Sequence, residues 1–118
     1  MKSTQVVRAL AALAQESRLA VYRMLVARGP DGLSAGVIGG RLGIAPATLS
    51  FHLKELANAG LVTALARGRY VIYSANFQGM NELLGFLTDN CCGGNPCTPV
   101  VACKPSRADK RPPIRAGT

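Results

Sequence analysis

The punctuation between residues 34 and 60 constrains this chain more than any other feature. Ser34 can cap a helix in which Val37, Ile38 and Leu42 face inward, and Gly43 follows where a left-handed terminating residue is wanted. Beyond Gly43-Ile44-Ala45, Pro46 suits the first turn of the next helix, because its missing N–H would be unpaired there anyway. That helix runs to Asn58 or Ala59 with Leu49, Leu53 and Leu56 repeating on one side, and Gly60 ends it. Two short helices joined by a tight glycine-containing turn form a helix-turn-helix.

The flanking segments build around this unit. Over residues 4–14, Val6, Val7, Leu10, Leu13 and Ala14 take three-and-four spacing behind Ser3 or Thr4 as a cap, which predicts a first helix. Gln15 to Arg28 predicts a second, with Leu19, Val21, Tyr22, Leu25 and Val26 as a broad apolar face, stopped by Gly29-Pro30-Asp31-Gly32. After the helix-turn-helix, Leu61 to Leu65 and Tyr70 to Ser74 are β-prone runs separated by Ala66-Arg67-Gly68-Arg69, a hairpin with a basic tip. Phe77 to Asn90 then sets Met80, Leu83, Leu84 and Leu87 on one stripe of a last helix. The expected fold is α+β and predominantly helical: four helices, a β-hairpin and a fifth helix, with no internal repeat.

Fourteen Lys or Arg against six Asp or Glu give the 118 residues a net charge of +8, which favours a polyanionic partner. Lys104, Arg107, Lys110, Arg111 and Arg115, opposed by Asp109 alone, put half of that excess in a Pro-rich tail, and the remainder leaves residues 1–98 basic on their own account. Three regions follow: a folded helix-turn-helix domain over 1–90, a cysteine-rich segment over 91–103, and a basic Pro-rich tail over 104–118 too poor in large apolar groups to order itself. No apolar run approaches the roughly 18 to 20 residues that span a bilayer, so a cytoplasmic chain with no membrane partner is expected.

Within the second helix of the helix-turn-helix, the inward leucines leave Ala47, Thr48, Ser50, Phe51 and Lys54 on the opposite side, behind Pro46. Thr48 and Ser50 can bond to base edges or phosphates, the methyl groups of Ala47 and Thr48 and the ring of Phe51 can meet a thymine methyl, and Lys54 can meet a phosphate. Arg67 and Arg69 flank Gly68 on the hairpin tip, a shape suited to an adjacent backbone or the minor groove. Both features point at double-stranded DNA. His52, one residue before inward Leu53, reads as a hydrogen-bonded packing residue rather than a metal ligand. Neither an anion-cradling loop after a strand nor a Ser/His/Asp or Cys/His arrangement is present, so no residue is assigned catalysis and no catalytic cofactor is expected.

All four cysteines, Cys91, Cys92, Cys97 and Cys103, fall directly after the last predicted helix. Adjacent Cα atoms about 3.8 Å apart are too close for an unstrained disulfide, so Cys91 and Cys92 suit one shared soft ion. Gly93-Gly94-Asn95-Pro96 is a turn that can bring Cys97 back to the pair. Three thiolates select Cu(I) or a thiophilic metalloid, and trivalent arsenic or antimony prefers a three-sulfur pyramid. With Cys103 as a fourth ligand a zinc site is the alternative. A third reading is a thiol redox switch, in which Cys97 or Cys103 pairs with one of the vicinal thiols under oxidant.

The stretch Ala47 to Val62, ATLSFHLKELANAGLV, followed by Arg67-Gly68-Arg69, resembles the ArsR/SmtB family of winged-helix metalloregulatory repressors. The likeness starts at Leu10-Ala11-Ala12-Leu13 with Ser17-Arg18-Leu19 and covers residues 5–92. It implies a homodimer, pairing through the first and last helices (Val6, Val7, Leu10, Leu13, Met80, Leu83, Leu84, Leu87), that leaves its operator when a metal or metalloid binds. Cys91-Cys92-Gly93-Gly94-Asn95-Pro96-Cys97 is similar to the signature of an arsenic-responsive subgroup, which implies arsenite, antimonite or methylarsenite as inducer. The third helix lacks the Cys-Val-Cys motif of other relatives, and Phe77 to Asn90 lacks the histidines of zinc sensors.

Overall fold

The computed structural model describes residues 1–89, so the cysteine-rich segment 91–103 and the basic tail 104–118 lie outside the described residues. The elements run α1 (Ser3–Leu13), α2 (Glu16–Arg28), β1 (Leu33–Ser34), α3 (Ala35–Leu42), α4 (Pro46–Asn58), β2 (Val62–Arg67), β3 (Tyr70–Ala75) and α5 (Phe77–Leu87). Five helices and a small antiparallel sheet make a winged helix-turn-helix.

Local chemistry sets most of the boundaries. Gln15 caps α2 by accepting from Arg18 N–H at 2.8 Å, Ser34 Oγ accepts from Val37 N–H at 3.4 Å, and Asn76 Oδ1 accepts from Gly79 N–H at 3.2 Å at the start of α5. Gly43 terminates α3 in the left-handed region at φ 67°, and Pro46 occupies the first turn of α4. At α1 the cap differs from the Ser3 or Thr4 expectation. Lys2 is the capping position, with its N–H donating to Gln5 Oε1 at 2.7 Å, and Ser3 is already helical.

One core holds these elements together. Val21, Leu25, Ile38, Leu49, Leu53, Leu56 and Leu61 are its largest fully enclosed side chains, so α2 and α4 form its centre. Four residues of the expected apolar faces of α1, α2 and α3 turn out to be exposed. On α1 the core takes Val6, Ala9 and Ala12, leaving Val7 and Leu10 outside. Leu19 on α2 and Val37 on α3 also face out, because each helix is covered along one flank only.

The sheet has order β1-β3-β2, with Leu33 opposite Tyr73 and Val62 opposite Ala75. The two-residue strand β1 was not expected from the sequence; a pair this short is held by the turn before it, where Gly32 at φ 71° packs against the Tyr73 carbonyl. At the other end, α5 stops at Leu87 rather than Asn90, with Thr88 Oγ1 donating to the Leu84 carbonyl at 2.7 Å. No helix among the described residues is long and apolar enough to cross a membrane.

Candidate nucleic-acid interface

Helix α4 is anchored from one side and bare on the other. Leu49, Leu53 and Leu56 are buried, while Pro46, Ala47, Thr48, Ser50, Phe51 and Lys54 are all exposed. Phe51 keeps 55% of its surface accessible, the unusual case of a large aromatic left in solvent. Close approach of α3 to α4 depends on Gly39, where a Cβ would stand 3.0 Å from the Ile44 carbonyl and 3.3 Å from Leu49 Cδ2. The turn therefore holds α4 tightly against α3 while its N-terminal residues project outward.

His52 is the buried polar residue of this helix, at 7% exposure, and it fixes α4 from behind. Its Nδ1 lies 3.4 Å from Arg18 Nη1, and Arg18 Nε donates to the Ala12 carbonyl at 2.7 Å. Since a guanidinium only donates, Nδ1 is the acceptor. One arginine thus ties the end of α1 to the middle of α4. Arg18 was quoted in the sequence as part of a likeness, yet its bridging role was not legible there, because its two partners lie 6 and 34 residues away.

The hairpin differs in detail from its expected form. Strands β2 and β3 extend through Arg67 and Tyr70, so the tip is the two-residue turn Gly68-Arg69 rather than Ala66 to Arg69. Gly68 has φ 61°, as two-residue hairpin turns demand at their first position. Arg67 then stands directly opposite Tyr70, which is 66% exposed. Tyr70 is a surface residue of the tip that the sequence reading missed. A two-residue loop between the β-prone runs would have exposed the pairing. Arg67, Arg69 and Lys54 are all exposed, and the sole ion pair among the described residues joins the N-terminal ammonium to Glu82 at 3.9 Å. These three cations have no acidic partner of their own there, which leaves them free to meet phosphates.

The candidate thiolates Cys91, Cys92, Cys97 and Cys103 lie outside the described residues. Among the described residues, no three His, Cys, Asp or Glu side chains gather closely enough to hold a metal ion.

A bare helix projecting from a helix-turn-helix, beside a basic-tipped hairpin, defines a winged-helix DNA-binding protein. Comparison with known proteins extends this to a family. Residues 13–63 match the helix-turn-helix domain family. The HTH-type transcriptional regulator YceK of Bacillus subtilis is 42% identical over 79 residues, covering 64% of this chain and 76% of YceK. The ArsR-like transcriptional regulator from Rhodococcus sp. RHA1 superposes with TM-score 0.64 at 27% identity, covering 71% of this chain and 76% of that one. The homodimeric winged helix-turn-helix DNA-binding domain of Mb0332 from Mycobacterium bovis, a possible ArsR-family regulator, gives TM-score 0.60 at 26% identity, covering 80% and 88%. This chain belongs to the HTH-type transcriptional regulators, and it is similar in structure to ArsR-like members of the winged-helix fold. It is a DNA-binding regulator and not an enzyme.

Proposed function

We propose that the protein is a metalloid-responsive repressor: a homodimer that holds operator DNA and releases it when trivalent arsenic or antimony binds Cys91, Cys92 and Cys97. The observation that carries this reading is the run Cys91-Cys92 with Cys97, which begins four residues after Leu87, the last residue of α5. Helices α1 and α5 pack side by side and leave Val7, Leu10, Phe86 and Leu87 exposed, an apolar surface that pairing with a second copy would cover. Pairing through these helices gives two α4 helices, one for each half of a pseudo-palindromic operator in successive major grooves about 34 Å apart. Pro46, Ala47, Thr48, Ser50, Phe51 and Lys54 meet the major groove, and Arg67 and Arg69 the adjacent backbone or minor groove. Drawing three sulfurs onto one centre at the end of α5 reshapes the pairing helix and changes the spacing of the two α4 helices. A linkage of about 1 to 3 kcal/mol corresponds to roughly 5- to 150-fold in operator affinity.

The test is release of a labelled operator duplex, selected from a random pool, followed by fluorescence anisotropy at fixed salt. Arsenite, antimonite and methylarsenite are titrated, with zinc and peroxide as controls. Cys91→Ser, Cys92→Ser and Cys97→Ser should each blunt release by arsenite, and Cys103→Ser should not. Release of all three variants as readily as the parent places the sensor elsewhere. Zinc-driven release that needs Cys103 identifies a four-thiolate site, and release by peroxide alone, reversed by thiol reductant, identifies a redox switch.

A further inference from the structure

DNA recognition leaves an open-sided cavity of the described residues unused. At the seam of α1, the end of α4 and the start of α5 lies a space of about 370 Å³, walled in part by Gln5, Arg8, Asn58, Asn76, Gln78 and Glu82. That volume falls in the range of small-molecule sites and admits a ligand on the order of ten non-hydrogen atoms. Four amides, the Arg8 guanidinium, the N-terminal ammonium of Met1 and the Glu82 carboxylate make its chemistry polar and its formal charge +1. Glu82 already faces the N-terminal ammonium at 3.9 Å, whereas Arg8 has no acidic partner among the described residues. A second cavity, about 180 Å³, shares Arg8, Asn58 and Ala59 and continues toward Arg18 and Glu55. Arg8 therefore stands where the two spaces meet.

The cavity opens beside the pairing surface of the dimer proposed above. A helix turns about 100° per residue, which sets Arg8 about 100° from Val7 and about 160° from Leu10 around α1. Around α5, Leu87 stands about 180° from Gln78 and about 140° from Glu82, while Phe86 lies about 40° from Glu82. Its mouth and the apolar pairing surface thus lie on different flanks of α1 and adjoin on α5 at Phe86. The floor of the cavity is also a structural joint. Asn76 Nδ2 donates to the Gly60 carbonyl at 2.9 Å, and Asn76 N–H donates to the Leu61 carbonyl at 2.8 Å, fastening the start of α5 to the chain leaving α4.

We propose that this cavity binds a small organic carboxylate, held by the guanidinium of Arg8, with the ligand's remaining polar groups bonded to the amides of Gln5, Asn58 and Gln78. A guanidinium takes a carboxylate through two parallel N–H donors, and the ring of neutral amides suits hydroxyl or amino substituents. The lining carries one net positive charge, which a carboxylate's single charge balances and a phosphate dianion's two exceed. The site is independent of the cysteines, so it stands or falls apart from the metalloid reading.

The experiment uses the full-length isotope-labelled protein, titrated at constant ionic strength with lactate, malate, glutamine and inorganic phosphate while side-chain NMR signals are followed. At least one carboxylate should give saturable shifts at Arg8 Nε–H and at the Asn58 and Gln78 amides. Arg8→Gln should weaken that binding about tenfold or more, and Arg8→Lys, which keeps the charge but loses the fork, should weaken it too. Arg8 is exposed, so both variants should keep the parent's melting temperature. The proposal is overturned if no carboxylate saturates these signals, if Arg8→Gln binds as the parent does, or if phosphate saturates them equally.

Discussion

Tyr22 places a hydroxyl where nothing answers it. The side chain is buried on α2, and its Oη has no hydrogen-bond partner among the described residues. Burial raises the phenol's pKa above its ordinary 10.0. Removing the oxygen relieves an unmade hydrogen bond, so Tyr22→Phe should stabilise the fold by about 1 kcal/mol in urea denaturation. The pH dependence has a definite sign. Below pH 10.0 both folded and unfolded phenols keep their proton, and this group contributes no slope. Above it the unfolded phenol ionises first, so stability falls as pH rises; the fall should be shallower in Tyr22→Phe. A different residue-scale constraint operates at Gly79, where an added Cβ would run into the Gly60 carbonyl and crowd Asn76 Nδ2. Gly79→Ala should cost about 1 to 3 kcal/mol, read as a lower melting temperature.

Among the elements, α3 is built with less helix propensity than its position needs. Three of its eight residues are glycine, yet only Gly39 is required sterically; a Cβ at Gly36 or Gly40 would meet nothing within 4 Å. Replacing either by alanine should stabilise the protein by about 0.5 to 1 kcal/mol, while Gly39→Ala should destabilise it, a split that chemical denaturation of the three variants would reveal. The same helix separates what was legible in the sequence from what was not. Its ends were, because Ser34, Gly43 and Pro46 act on their own local backbone. Its faces were less so. Val37 and Ile38 are both apolar, and which one is buried depends on where α2 and α4 lie, a tertiary fact that spacing alone does not carry. The same reasoning covers Val6 and Val7 on α1. For the candidate interface, the leucine repeat of α4 was enough to name the outward residues, since removing one face of a helix leaves the other. The Arg18 bridge and the short strand β1 depend on long-range partners and were not legible.

At the scale of the whole molecule, charge and symmetry combine. In the proposed dimer each contact with DNA occurs twice, so one substitution removes two phosphate contacts. Pairing itself is tested by Val7→Glu with Leu87→Glu, which buries charge in the apolar surface between copies and should give a monomer in sedimentation with much weakened operator binding. For the parent, log affinity should fall linearly with log salt, by about 0.9 for every phosphate neutralised. Lys54→Ala or Arg67→Ala should then lower the slope by about 2 per dimer and weaken all duplex sequences alike, because a phosphate carries no base identity. Thr48→Ala or Ser50→Ala should behave in the opposite way if their hydroxyls reach base edges: the slope holds, and preference at one symmetric pair of operator positions relaxes by about 1 to 3 kcal/mol. Binding isotherms at four or five salt concentrations, on the selected operator and on its single-base variants, separate the two classes. A Lys54→Ala protein with the parent's slope would remove Lys54 from the phosphate contacts and turn the bare face of α4 away from the backbone in the proposed complex.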